Sequence, residues 1–230
     1  MYELEFNQIK TGKDNYTIIS EDTISKIACI KAFDAATMNK MLHDHHKYLL
    51  RYAKNKNEHK EVGLFWDLNN VEAEPLKIKG QINGFNIHDV PEISALVKNP
   101  HNILSVVIMH NHPRNGWFSG ADIRSFIDFN SIYLMTAVCN DGTIYMLRKE
   151  RNFNPLLMEK YYNDGVKLSE DAVKKERLKK AKRLKLDINK VEDRTKINQL
   201  STKPYYYGIQ NIAKHAKEIG VTFRCSVARK

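Results

Sequence analysis

The chain is poor in cysteine, has no long apolar run and, over most of its length, carries almost no net charge. Cys29, Cys139 and Cys225 are an odd set, widely spaced and without a Cys-x-x-Cys pair. That argues against a disulfide framework or a zinc ribbon and for a reducing, cytoplasmic setting in which the cysteines act as small buried hydrophobes. No stretch approaches the roughly 18 apolar residues of a membrane span. Met1-Tyr2-Glu3-Leu4-Glu5 has neither a basic n-region nor an apolar h-region, so no membrane or export role is expected. No internal repeat is evident. Acids are scarce at one end: residues 171–230 hold 17 Lys+Arg against 6 Asp+Glu, whereas residues 1–170 hold 20 against 21. The formal charge of +10 over 230 residues therefore arises in the last quarter, which places a boundary near residues 160–170. At 42% hydrophobic content the chain can bury one good core and carry an appendage.

The informative segment is His110-Asn111-His112-Pro113, followed by Ser119 and Asp122. Ile103-Leu104-Ser105-Val106-Val107-Ile108-Met109 before it is apolar and rich in β-branched residues, as in a strand buried on both faces. Residues i and i+2 of a strand share a side, so His110 and His112 at its end can reach one ion. Pro113, lacking an N–H, then stops the strand. Ser119-Gly120-Ala121-Asp122 leads into Ile123, Phe126, Ile127 and Ile132 at roughly helical spacing, which makes Ser119 an N-cap with Asp122 one turn in. Two imidazoles and a carboxylate form the ligand set of a catalytic zinc site, whose fourth position belongs to water. Such chemistry also needs a proton acceptor from elsewhere in the chain, because Asp122 is assigned to the metal. The bland readings are a plain capping box for Ser119 and Asp122 and loop histidines for the other two. The agreement of two same-face histidines, a proline stop and a capped helix carrying an acid favours the metal site.

His-x-His-Pro followed by Ser-x-x-Asp resembles the motif of the JAMM metallopeptidases, also called MPN-plus or JAB. The resemblance implies that His110, His112 and Asp122 hold Zn2+, that Ser119 supports the tetrahedral intermediate, and that a glutamate at the start of an earlier strand is the general acid/base. Glu61-Val62-Gly63-Leu64-Phe65-Trp66 is similar to the family's segment, an acid just before an apolar strand and after a helix. Glu58, Glu72 and Glu74 compete, but the edge of a core strand holds a base more rigidly than a loop does, which favours Glu61. Six residues, Pro113 to Phe118, separate His112 from Ser119, one fewer than is common in the family, and Gly116 lends the shorter loop backbone freedom. The His-Asn-His-Pro spelling is closer to RadC-type and phage or mobile-element members than to eukaryotic deubiquitinases.

The implied fold is α/β, a JAMM/MPN-like (cytidine-deaminase-like) mixed sheet flanked by helices, with a basic α-helical C-terminal extension. Residues 1–32 read as a β-like lead-in (Glu3–Ile9, Tyr16–Ile19, Ile24–Ile30), 33–165 as the metallopeptidase domain and 166–230 as the extension. Within the domain, the pattern predicts a helix over Thr37–Ala53, a strand over Val62–Leu68 and one or two strands within Leu76–Phe85. A short helix over Pro91–Lys98 and another over 120–130 follow, then a hairpin of Ile132–Val138 and Thr143–Leu147 about Asn140-Asp141-Gly142. His43-Asp44-His45-His46 is a rival metal cluster, but on a helix His45 leaves the face that His43 and His46 share, so it reads as an exposed helix face.

From Asp171 onward Val173, Leu178, Ala181, Leu184, Ile188 and Val191 recur mostly at three or four residues among lysines and arginines. Three readings stand: a solvated helix docked on the core, an arm for nucleic acid with Tyr205-Tyr206-Tyr207 as stacking surfaces, or a handle for an acidic protein. Ile209, Ile212, Ala213, Ala216 and Ile219 predict a further helix ended by Gly220. The expected activity is zinc-dependent hydrolysis of an amide in a protein or peptide, with a ubiquitin-like conjugate among the candidate substrates. The alternative is a RadC-like nucleic-acid-binding or phage/mobile-element assembly module without peptidase activity.

Overall fold

The computed structural model describes residues 17–200 and 204–226, the side chains of 199, 200, 204 and 205 excepted. Glu3–Ile9, Tyr16 and the side chain of Tyr205 lie outside the described residues. The chain divides into two compact units, Met1–Phe153 with Gly220–Lys230, and Asn154–Ile219.

The first unit contains α1 (Glu21–Lys26), α2 (Ala36–Lys56), β1 (Val62–Asp67), β2 (Leu76–Lys79), α3 (Pro91–Lys98), β3 (Val106–His112), α4 (Gly120–Asp128), β4 (Ile132–Cys139) and β5 (Ile144–Lys149). The last strand of the sheet is β6 (Val221–Ser226). Together the strands form a six-stranded mixed sheet in the order β2-β1-β3-β4-β5-β6. Only β3 and β4 run parallel, and α4 makes the crossover between them.

Leu42, Leu49, Leu50 and Ala53 of α2 cluster with Val62, Leu64, Trp66, Val107, Met109, Leu134, Val138, Ile144 and Met146. The pleat therefore sends Gly63, Phe65, Ile108, His110 and His112 to the opposite face. That face carries α4: Lys149 at the end of β5 donates from Nζ to the Phe129 carbonyl at 2.7 Å and lies 4.9 Å from the Phe126 ring. The Lys149 amine thus meets the C-terminal end of the helix whose first turn holds Asp122, with burial lowering its pKa to about 7. The two layers of helix leave a sheet interior so apolar that β1, β3 and β4 are buried almost throughout.

Several expectations need correction. Ile24–Ile30 does not form a strand, since Ile24 lies in α1. The Ser20 hydroxyl accepts from the Thr23 N–H at 3.0 Å, acids fill the first turn and Lys26 the last, so capping outweighs the β-branched residues. Cys29 is exposed, whereas Cys139 is in the core. The histidines of α2 are not an exposed face: His46 is fully buried with Nε2 at 2.9 Å from Thr136 Oγ1 of β4, and His45 packs edge-on against Trp66. The C-terminal segment turns helical at Pro155 rather than near residue 166, and its last residues are β6, paired with β5, rather than part of a helical extension. Val221-Thr222-Phe223 carried the strand signal, with β-formers straight after the Gly220 turn.

The second unit comprises α5 (Pro155–Leu168), α6 (Glu170–Leu184), α7 (Val191–Leu200), α8 (Pro204–Lys214) and α9 (Ala216–Ile219). Its framework is α5 against α8, pinned by Asn211 Nδ2 donating to the Tyr161 carbonyl at 2.7 Å and by the Tyr161 ring stacked on His215. Among the described residues no helix is long and apolar enough to cross a membrane.

Burial, reinforced by the charges of His43 and His45, lowers the His46 pKa from 6.5 to about 3. Between those values the unfolded chain binds a proton that the folded chain refuses. The stabilisation is therefore complete above about pH 6.5 and is lost as pH falls toward about 3. In urea titrations between pH 6 and 4, the wild type should lose up to about 1.4 kcal/mol per pH unit more than His46→Gln, which keeps a partner for Thr136. Equal slopes for the two proteins would show that His46 is not held neutral.

Candidate metal centre

His110 and His112 sit on one side of β3, and their Nε2 atoms approach to 2.9 Å. Nδ1 of His112 donates to the Gly116 carbonyl at 2.8 Å, which orients the ring with Nε2 facing His110. Gly116 contributes that carbonyl rather than unusual backbone freedom. The left-handed residue of the loop is Asn115, at φ 53°, held by Nδ2 donating to Thr17 Oγ1 at 2.6 Å and by Oδ1 accepting from the Asp141 N–H at 3.1 Å.

Ser119 and Asp122 form the expected capping box, and the same box positions the Asp122 carboxylate beside the two histidines. Ser119 Oγ accepts from the Asp122 N–H at 3.2 Å, and the Ser119 N–H donates to Asp122 Oδ2 at 2.6 Å. This reciprocal pair orients the carboxylate so that Oδ1 lies 3.5 Å from His110 Nε2 and Oδ2 lies 3.6 Å from His112 Nε2. The positive end of α4 stabilises the same carboxylate. The cap uses the oxygen of the Ser119 hydroxyl and leaves its proton to be donated.

Glu61 immediately precedes β1, and extending the antiparallel register from Gly63↔His110 sets it opposite His112. One oxygen of Glu61 and one nitrogen each of His110 and His112 all lie within 4.8 Å of one another. The rival acids do not join them: Glu58 pairs with Lys60, Glu74 with Lys77, and Glu72 is exposed. The four expected side chains are thus brought together, from the rim of β1, the end of β3 and the start of α4, and Ser119 stands beside them.

The electrostatics are those of charges withdrawn from water. Burial pushes the Glu61 carboxyl up to about 8, His112 opposing and Asp122 adding to the rise. Burial lowers His110. For His112 burial acts the same way, but the hydrogen bond and charge of Asp122, with Glu61 and the Gly116 carbonyl, outweigh it and raise the ring to about 9. Burial alone would raise Asp122, yet the two histidines hold it well below the ordinary range. Phe85 and Phe118 flank His110, each ring centroid 6.2 Å away. Phe85 fits there because residue 63 is glycine: a Cβ on Gly63 would meet its ring at 2.6 Å.

The donor set fits a divalent ion. Tetrahedral zinc with nitrogen and oxygen ligands at 2.0–2.1 Å has ligand–ligand edges of roughly 3.3–3.4 Å. The two Nε2 atoms, 2.9 Å apart, are closer than that edge, and each lies slightly beyond it from a different oxygen of Asp122, His110 at 3.5 Å from Oδ1 and His112 at 3.6 Å from Oδ2. One support is missing: Nδ1 of His110 is buried without a hydrogen-bond partner, where metal-bound histidines ordinarily have one.

Two functional residues escaped the sequence reading. Asn111, between the two histidines, points to the α2 face, where Oδ1 accepts from the Val62 N–H at 2.7 Å and Nδ2 donates to the Lys60 carbonyl at 3.2 Å and to Asn140 Oδ1 at 2.8 Å. Asn140 Nδ2 in turn donates to the Thr17 and His59 carbonyls at 2.8 and 3.0 Å. Both are fully buried, and together they clasp the backbone on either side of Glu61. An asparagine between two strand ligands was the available signal. The alternation that sends the histidines to one face sends the residue between them to the core.

No protein-family model matches the chain, and no curated protein or solved structure matches it.

Replacing Asn111 by alanine should leave the buried Val62 N–H unpaired, at a cost of about 1–3 kcal/mol for each buried group so stranded. The expected result is a lower urea midpoint and loss of hydrogen-exchange protection at the Val62 amide. Unchanged protection at that amide would show that Asn111 does not fasten the Glu61 segment.

Proposed function

We propose that this chain is a zinc-dependent hydrolase of amide bonds of the JAMM type, acting on a protein or peptide in the cytoplasm. The observation that carries the reading is the convergence of His110 Nε2, His112 Nε2 and both Asp122 oxygens on one point, with the buried Glu61 carboxyl beside it. In this reading His110, His112 and Asp122 hold the ion and Glu61 does not. Asp122 has an oxygen against each imidazole and is oriented by its cap, whereas Glu61 is oriented by a strand rim across from His112. The alternative ligand set, Glu61 with the two histidines, would leave Asp122 without a role beyond the helix cap. The three free cysteines accord with a reducing compartment.

Zinc in such a site supplies Lewis acidity, making a water nucleophilic near pH 7 and polarising the carbonyl under attack. The chain's own groups do the rest. Glu61, held away from bulk water beside the histidines, in its ionised form takes the proton of the attacking water and passes it to the departing amine. Ser119 donates its hydroxyl proton to the carbonyl oxygen as negative charge builds there. Asp122 keeps both imidazoles oriented, and Phe85 and Phe118 keep water from His110. The same groups serve a peptide bond and an isopeptide bond alike, because both present a carbonyl carbon and an amine leaving group.

Elemental analysis of purified protein should give one zinc per chain, lost in His110→Ala and His112→Ala and retained in Glu61→Gln. Assayed on peptides and on ubiquitin-like conjugates, Glu61→Gln should hydrolyse at least 100-fold more slowly than wild type. A protein without metal, or a Glu61→Gln variant as active as wild type, removes the proposal.

A further inference from the structure

The unit Asn154–Ile219 carries 16 Lys+Arg against 9 Asp+Glu, and its charge is concentrated on α6. Val173 and Ala181 are the buried residues of that helix. At 100° per residue, Lys175, Lys179, Lys182 and Arg183 fall on the side opposite them, at positions i, i+4, i+7 and i+8. All four are exposed, and none pairs with an acid among the described residues. They span about 12 Å of helix.

Two features separate this helix from an ordinary solvated one. Each acid of α6 has a lysine four residues on, as in such a helix, but among the described residues Glu170 and Asp171 close no ion pair with Lys174 and Lys175. Glu176, next to Arg183 around the helix, is engaged by Lys180 at 2.7 Å. The stripe itself is also unlike a protein-docking surface: it is mostly lysine, which protein interfaces disfavour, and offers no aromatic or methionine anchor. Nor does it suit a lipid surface, because Val173 and Ala181 are buried and the exposed Leu178 and Leu184 lie roughly 120° apart around the helix, without a continuous apolar side to enter a bilayer.

We propose that this face of α6 binds the phosphate backbone of double-stranded nucleic acid without regard to sequence. Of the tyrosines that the sequence offered for base stacking, Tyr206 is buried and Tyr207 half-buried, and the side chain of Tyr205 lies outside the described residues. The described side chains thus leave recognition to charge, which favours the closely spaced phosphates of a duplex over a single strand. The proposal is independent of the metal centre, which lies in the other unit.

The test uses the full chain and a fluorescein-labelled duplex of mixed sequence, with binding followed by anisotropy from roughly 50 to 200 mM salt. Wild type should bind at low salt with a log–log slope of about −4, since each neutralised phosphate adds about −0.9. A variant with Lys175, Lys179, Lys182 and Arg183 all changed to Gln, a good helix former, should bind at least tenfold more weakly, with a slope nearer zero. A control with Lys40, Arg51, Lys56 and Lys98 changed to Gln loses the same charge from the other unit and should bind as wild type does. Circular dichroism shows that each variant keeps its helix. Absent binding at the lowest salt, equal weakening by the control, or equal affinity for a polyglutamate of matched charge each overturns the proposal. Tighter binding of the single strand than of the duplex overturns it as well.

Discussion

The antiparallel register of β1 on β3 is the constraint on which the rest depends. Gly63 opposite His110 sets the Glu61 backbone across from His112, and a slip of one residue would turn the even-numbered side chains of β1 from the α2 core to the other face. Three devices hold that register. The apolar side chains Val62, Leu64 and Trp66 must stay under α2. Asn111 and Asn140 fasten the backbone around Glu61 by hydrogen bonds that no shifted pairing would satisfy. The Phe85 ring occupies the space that the absent Gly63 side chain leaves, and so lies beside His110.

Gathering four ionisable groups in a poorly solvated spot is costly unless each charge finds its complement. The arrangement meets that condition in part. Asp122 is compensated by two imidazoles, by the Ser119 N–H and by the start of α4, so its negative charge is well placed. Glu61 lacks such compensation, and its carboxyl retains a proton to higher pH than usual. Two neighbouring carboxylates with proton affinities driven apart are what acid–base chemistry at neutral pH requires. The two histidine Nε2 atoms face one another at 2.9 Å, a hydrogen-bond distance at which one ring donates and the other accepts.

Buried polar groups elsewhere tie α4 and α2 to the same sheet. Lys149 holds the far end of α4 through the Phe129 carbonyl, and His46 joins α2 to β4 at Thr136. Each gives one helix a specific attachment point on one face of the sheet, which apolar packing alone would leave free to slide. The position of Asp122 thus depends on contacts at both ends of its helix.

The sequence by itself determined the local elements that make the centre: a β-branched run ending in two histidines, a proline after them, a serine cap with an acid one turn in, and a glutamate ahead of an apolar strand. Period-two alternation and capping chemistry act over a few residues, so their outcome is written in neighbouring letters. It determined α3 to the residue, because Pro91 opens it and Ile93 and Val97 share its buried side. It misjudged His46, since a histidine on a helix looks the same whether the face beneath it is water or Thr136, ninety residues away. It also missed β6, whose six residues become a strand by pairing with β5, and the Asn111–Asn140 clasp, which joins positions that chain order keeps apart. Those were decided only by tertiary structure, because burial and strand pairing depend on which distant segment arrives to exclude water, and nothing local encodes that arrival.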